Sequence, residues 1–206
     1  MGLEVKAMIK TVKKLVLVII GTIIAAYGID LAIHAGFGGA TLAVLWEGIA
    51  KTFHITLGQA SFIIAVGMIV FCFFYDRKQI SWGTFLYQII YSIFVDVFAD
   101  CVVYSDSGIV NFILMVLGII LLAVGSGVYS YADFGRGSYE ALTFALASRN
   151  HWQTRYVRMV LDIACVAIGL LLGGTIGACT IVTILISGIV LQQVVDTLKK
   201  IRFMQI

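Results

Sequence analysis

Charge is what this sequence has least of: only 12% of its 206 residues are Asp, Glu, Lys or Arg, about half the ~25% of an ordinary soluble domain. That scarcity excludes a surface solvated mainly by water. Proline is absent altogether, so the long apolar runs are broken by nothing harsher than glycine. Cys72, Cys101, Cys165 and Cys179 have neither CxxC spacing nor a histidine cluster beside them. A zinc or redox motif is therefore not expected, and the four read as small apolar packing residues. With three histidines and no HExxH, GxSxG or Walker sequence, the chain is not read as an enzyme, and no cofactor or metal is expected.

What remains is hydrophobic: 61% of the chain, at a mean hydropathy of +1.06. Apolar runs recur at about 15–35, 57–75, 82–104, 109–132, 156–173 and 175–197. Each approaches the ~20 residues a helix needs to cross ~30 Å of hydrocarbon. A β-barrel would instead show alternating segments of ~10 residues. The reading is an all-α membrane protein with six transmembrane helices, a single integral membrane domain over 1–206 with the lipid bilayer as its solvent. The basic start and the apolar run after it imitate a signal peptide, but the run is too long for one and is expected to stay in the mature protein. The start also lacks the Ser or Thr of a myristoylation site, so no lipid anchor is inferred.

The chain matches itself at an offset of 97. Gly21, Ile23, Ala26, Gly28, Ala35, Phe37, Gly38, Leu45, Ala50 and His54 meet Gly118, Ile120, Ala123, Gly125, Ala132, Phe134, Gly135, Leu142, Ala147 and His151. At an offset of 96, Ile80, Thr84, Ile90, Ile93 and Asp100 meet Ile176, Thr180, Ile186, Ile189 and Asp196. Repeat one covers about 15–104 and repeat two about 109–200. Three spans per copy is an odd number, so the second copy is expected to be inverted relative to the first.

Charge tests that expectation, because basic residues concentrate on the cytoplasmic side. With both termini inside, the inner segments hold Lys6, Lys10, Lys13, Lys14, Arg77, Lys78, Arg136, Arg149, Arg155, Arg158, Lys199, Lys200 and Arg202, leaving Lys51 alone outside. The loop after the third span is acidic instead, with Asp100 and Asp106. The net charge of +3 follows from this bias, and no nucleic-acid partner is suggested. Between the first two spans of each copy lies a short stretch, 41–53 and 138–150. Thirteen residues reach only ~20 Å, so these are read as interfacial or re-entrant helices.

The segments that lead into the short helices, Ala35-Gly-Phe-Gly-Gly-Ala-Thr and Ala132-Asp-Phe-Gly-Arg-Gly-Ser-Tyr-Glu140, resemble the paired glycine motifs of the YczE/YitT-like family of bacterial integral membrane proteins. Gly169-Leu-Leu-Leu-Gly-Gly-Thr-Ile-Gly-Ala-Cys-Thr180 is similar to that family's approach to its last helix. In the family both short helices tend to open with proline and an aspartate; here Ala43 stands at the first acidic position and Glu140 at the second. The resemblance implies the fold and a place in the bacterial inner membrane, and no substrate.

Inverted repeats are a common transporter architecture. The expected function is small-molecule transport by alternating access, proton-linked if an intramembrane carboxylate titrates. The alternative is a non-transporting membrane partner or assembly factor, or the substrate-capturing subunit of an importer with a separate ATPase. A homodimer is plausible for so small a bundle. Charged groups inside spans are the candidates for coupling or substrate contact. Asp30 and His34, four apart, can share a proton or merely pair at a helix end. Asp96, whose counterpart is Gln192 beside Gln193, can flank a shared cavity or glue helices. Asp162 is expected to pair with Arg158. The glycine turns supply a second candidate, an anion docked at a helix N-terminus. Gly38, Gly39 and Thr41 would form it in one copy, and Gly135, Arg136 and Ser138 in the other, with Thr41 and Ser138 as N-caps and Glu140 opposing the anion. Ordinary tight turns explain the same glycines. Gly169, Gly173 and Gly177 are read as close helix approaches.

Overall fold

The computed structural model describes residues 2–99, 101 and 104–201, without the side chains of 2–7, 154 and 155; Asp100 and Arg202 lie outside the described residues. The chain is helical throughout its ordered elements: α1 (Gly2–Ile33), α2 (Thr41–Phe53), α3 (Leu57–Tyr75), α4 (Trp82–Phe98), α5 (Gly108–Tyr131), α6 (Ser138–Asn150), α7 (Thr154–Leu171) and α8 (Ala178–Lys200), with one 3-10 turn at Arg77–Gln79. A helix satisfies its own backbone hydrogen bonds, which is what an apolar run in lipid requires. Four helices are long and apolar enough to cross a membrane: Met8–Ile33 within α1, then α3, α5 and α8. Helix α4 is apolar but has 17 residues. Helix α7 has 18 but carries Arg155, Arg158 and Asp162. The basic N-terminal segment is the first turns of α1 rather than a separate tail, and the third apolar run leaves its helix at Phe98.

Helices α1 and α5 run antiparallel through the middle of the bundle and touch backbone to backbone. A Cβ added at Gly21 would sit 2.7 Å from Tyr129 N and 2.8 Å from Gly125 O, and one at Gly118 would sit 2.7 Å from Ala32 N and from Gly28 O. Small residues permit this approach, and dispersion and weak hydrogen bonds replace the hydrophobic effect that lipid does not supply. Helix α4 packs on α1, and α8 on α5. The short helices are seated on the opposite copy: α2 against α7, and α6 against α3. Gly48 and Gly169 make the first seat, and buried Cys72, Ala141 and Ala145 the second. Gly173, by contrast, has open space around it and a φ of +88°; it turns the chain after α7 instead of bringing helices together.

Positions one repeat apart do similar work. Helices α2 and α6 both end on a histidine in the left-handed region, His54 at φ 54° and His151 at φ 56°, whose N–H groups return to Ala50 O and Ala147 O. Thr52 Oγ1 donates to Leu172 O at 3.1 Å, and its counterpart Arg149 donates to Tyr75 O. Lys51 Nζ donates to Gly173 O at 3.1 Å, and Ser148 Oγ to Asp76 Oδ2 at 3.2 Å. Phe37 O accepts from Cys179 N at 3.0 Å, while Phe134 O accepts from Ser81 Oγ at 2.7 Å.

Candidate functional site

Both short helices begin at one partly open cavity of about 360 Å3. The glycine segments place them there. Gly38 has φ +81°, and a Cβ on it would collide with the backbone of Gly177. Gly39 N donates to Thr175 O at 3.0 Å. Gly135 has φ +151° and lies against Ser81 and Thr84. The glycines therefore let each segment turn tightly onto the start of the other copy's last helix; they do not form a loop around an open site. Arg136 lies outside the cavity lining, with Nη1 donating to Gln79 Oε1 at 2.7 Å and its guanidinium 3.8 Å from the Phe144 ring centre.

Thr41 and Ser138 both line the cavity, but neither is an N-cap. The caps are Ala40 and Gly137, which offer no side-chain acceptor, and the two hydroxyl residues stand one position inside the helix. Hence neither N-cap residue bonds a first-turn N–H of its helix through a side chain. Ser138 Oγ instead donates to Gln88 Oε1 at 3.2 Å, Gln88 Nε2 donates to Ser92 Oγ at 3.0 Å, and Ser92 and Ser61 share a hydrogen bond of 3.0 Å. This buried polar chain fixes α4 to α6 and to α3, and it orients the Gln88 amide at the cavity wall.

Glu140 is the cavity's carboxylate. It lies in the first turn of α6, where the helix dipole favours an acid. A Cβ on Gly137 would strike Glu140 Oε2 and come within 2.9 Å of the Tyr129 hydroxyl, so both polar groups lie over that glycine. Among the described residues no ion pair reaches Glu140. Its counterpart on α2 is Ala43, 1% exposed. Arg158 enters the lining from α7, its guanidinium 5.5 Å from the Tyr139 ring centre. The expected Arg158–Asp162 ion pair is not formed; Asp162 Oδ1 accepts from the Tyr139 hydroxyl at 2.7 Å.

An aromatic wall runs along one side. Ring centres are 5.9 Å apart for Trp46–Tyr91, 5.4 Å for Tyr87–Tyr91 and 4.5 Å for Tyr87–Tyr129. Trp46 is 7% exposed, and its indole N–H has no hydrogen-bond partner among the described residues. The sequence reading missed this wall. Its signal was Tyr87, Gln88 and Tyr91 on one face of a single helix, at the spacing where helical neighbours meet.

The other sequence candidates lie elsewhere. Asp30, 1% exposed, and His34 are brought together: Nδ1 is 2.8 Å from Oδ1, at ion-pair distance, and among the described residues neither carboxylate oxygen has a hydrogen bond of good geometry. Asp96 does not share a cavity with Gln192. It binds the start of α3, with Gly58 N donating to Oδ1 at 2.7 Å and Thr56 Oγ1 to Oδ2 at 2.6 Å. Gln192 and Gln193 are on the exposed face of α8, where Gln192 Nε2 donates to Asp196 at 3.0 Å. Two carboxylates outside the spans hold loops. Burial pushes the Glu47 carboxyl up, but hydrogen bonds from Lys51 and Thr175 and the Lys51 charge outweigh it and leave the group below its ordinary value. Asp76 is also lowered, first by the Gln79 side chain, against a small rise from burial, then by Lys78 N–H, Ser148 and the Lys78 charge.

A chain helical throughout its described elements, with four helices long and apolar enough to cross a membrane, is a multi-pass membrane protein. It belongs to the family of unknown function DUF6198, whose model matches residues 12–196. It is 27% identical over 173 residues to the uncharacterized membrane protein YczE of Bacillus subtilis, covering 84% of this chain and 80% of that one. An uncharacterized protein of Haemophilus influenzae is 26% identical over 82% of this chain and 77% of its own length. YyaS of Bacillus subtilis, also uncharacterized, is 23% identical over 84% and 88%. No solved structure matches the chain.

Proposed function

We propose that this protein carries a small polar molecule across the bacterial inner membrane by alternating access. In this reading all six long helices span, α4 and α7 included, both termini are cytoplasmic, and the two copies are inverted. The antiparallel glycine crossing of α1 and α5 supports inversion, as do the contacts that recur between equivalent residues, Thr52–Leu172 with Arg149–Tyr75 and Lys51–Gly173 with Ser148–Asp76. The basic residues on the segments assigned to the inside support the orientation.

The observation that carries transport is the cavity itself. It lies where the first turns of α2 and α6 converge, one from each copy, and it is lined by groups that bind polar solutes. Discontinuous helices whose N-termini point at a central site are how inverted-repeat carriers hold charged ligands. Rocking one copy against the other would open that site to either side in turn. The Asp30–His34 pair, with Nδ1 2.8 Å from Oδ1 near the end of α1, is the place this reading assigns to proton exchange during the cycle.

Cysteine labelling tests this without knowledge of the substrate. With the four native cysteines replaced, Ser126→Cys and Ser187→Cys place one thiol on each copy at the cavity lining. A membrane-impermeant maleimide should reach both from either side, in right-side-out and in inside-out vesicles. Labelling from one side only would overturn alternating access, and labelling from neither would overturn an open cavity.

A further inference from the structure

We propose that the structure holds the carrier in its cytoplasm-facing state, with the seam between α3 and α4 as the shut outer gate and the seam between α7 and α8 as the open inner one. This rests on the transport reading above and names the moving parts of that same site.

The two seams are equivalent by sequence and unlike in structure. Helices α3 and α7 begin at Leu57 and Thr154, an offset of 97, and α4 and α8 at Trp82 and Ala178, an offset of 96. Yet α3 packs along α4, whereas among the described residues α7 makes no comparable contact with α8. In the first copy Ser61 and Ser92 are buried and share a hydrogen bond of 3.0 Å, and a Cβ on Gly58 would collide with Ser92 O. Their equivalents in the second copy are Arg158 and Gly188, both exposed and both at the cavity lining, and a Cβ on Gly188 would meet nothing within 4 Å. Tyr91 and Val95 are likewise buried, while their counterparts Ser187 and Leu191 are half-buried in the same lining. The cavity therefore opens through the second seam and is walled off at the first.

The seams lie at opposite ends of the bundle. Phe98, which ends α4, stacks edge-on with Tyr27 in the later half of α1, ring centres 5.2 Å apart. A Cβ on Gly127 would touch Val194, which puts the later half of α8 beside the end of α5, where Lys14 donates to Asp133 O. The open seam thus faces the side of the N-terminal segment, cytoplasmic in the reading above. Its rims are polar. Arg158 is exposed on one, and Gln192 and Asp196 continue the stripe of Gly188 on the other, also exposed. Such groups within a span face a wet cavity rather than lipid.

The shut seam is clasped at its outer end by Asp96, which accepts from Gly58 N at 2.7 Å and from Thr56 Oγ1 at 2.6 Å. The equivalent of Asp96 is Gln192, which here donates along its own helix to Asp196. Rocking one copy against the other exchanges the two arrangements. In the outward-facing state Gln192 meets the start of α7, Arg158 lies over Gly188, and Asp96 releases the start of α3.

Crosslinking tests the gates, in right-side-out and inside-out vesicles holding the full chain with its four cysteines replaced and Ser126→Cys as reporter. Ser61→Cys with Ser92→Cys should form a disulfide on oxidation. An impermeant maleimide should then label the reporter from the cytoplasmic side as before, and from the outer side at least about tenfold more slowly, because a locked protein loses its other state. Arg158→Cys with Gly188→Cys should crosslink more slowly and give the mirror result, with cytoplasmic labelling slowed at least about tenfold. Reduction should restore both sides, which separates locking from misfolding, and Thr56→Cys with Asp96→Cys is a second pair across the first seam if the serine pair does not fold. Labelling unchanged from both sides after either crosslink would overturn the gates, as would an Arg158 and Gly188 pair that never crosslinks. Two-sided labelling before oxidation would in those cases leave the transport reading standing; one-sided labelling before oxidation would remove both.

Discussion

The Asp96 carboxylate accepts the Gly58 N–H at 2.7 Å and so caps, from the middle of the chain, a helix whose second residue lies 38 positions before it. An acid at a helix N-terminus also meets the positive end of the dipole. Asp96→Asn keeps one oxygen and loses the charge, and should lower stability by ~1–3 kcal/mol. The check is thermal unfolding in detergent beside the parent protein. Because Asp96 is not part of the cavity lining, ligand affinity should stay as it was; a loss of binding without a loss of stability would return Asp96 to the substrate path.

Glycines in this bundle divide by what surrounds them. At Gly28 a Cβ would enter the α5 backbone, whereas at Gly67, inside α3, it meets nothing within 4 Å. Gly28→Ala should cost ~1–3 kcal/mol through overpacking. Gly67→Ala should gain up to ~1 kcal/mol through helix propensity. Opposite shifts in melting temperature are expected, and shifts of one sign would refute the close crossing of α1 and α5.

Acid should loosen the loop clasps. Glu47 and Asp76 both have folded values below their ordinary ones. Such groups contribute stability that is complete above their unfolded values, about 4.3 for Glu and 3.9 for Asp, and is lost as pH falls through the lowered folded values. Melting temperature should therefore drop below about pH 4.3, and less steeply in the Glu47→Gln, Asp76→Asn double variant. Parallel curves for the two proteins would show that these carboxylates do not govern the acid limb.

Removing one member of the Asp30–His34 pair should matter more than neutralising it. His34→Ala leaves a 1%-exposed carboxylate without its imidazole, and because that imidazole is itself 33% exposed the loss should be ~1–3 kcal/mol. Asp30→Asn removes the charge itself and should cost less at neutral pH. Chemical or thermal unfolding of the two variants under one buffer decides the order.

The helices were legible because apolar length is a local property, and the offset of 97 was legible because residues in equivalent backbone settings recur in sequence. His54 and His151 are one such match, and both proved to close a short helix in the left-handed region. The site was less legible because its members meet only after packing. Nothing in the neighbourhood of Trp46 announces Tyr91, and nothing near Glu140 announces Tyr129. Asp96 and Gln192 were paired by the offset, yet one copy has spent its polar group on capping α3 and the other on the exposed face of α8. The N-cap register of α2 and α6 fell one residue early, because Ser and Thr usually cap, whereas here the backbone turn put Ala40 and Gly137 at the cap.

Because α2 is seated on α7 and α6 on α3, each half of the chain completes the other's core and neither encloses its own. A chain cut between α4 and α5 should yield two fragments that are unstable apart and complement one another when co-expressed. On the proposed orientation, a gene half this length could build the same architecture from two copies only if its product inserted in both directions, so that duplication and fusion would have fixed an arrangement that a dual-topology dimer already contained.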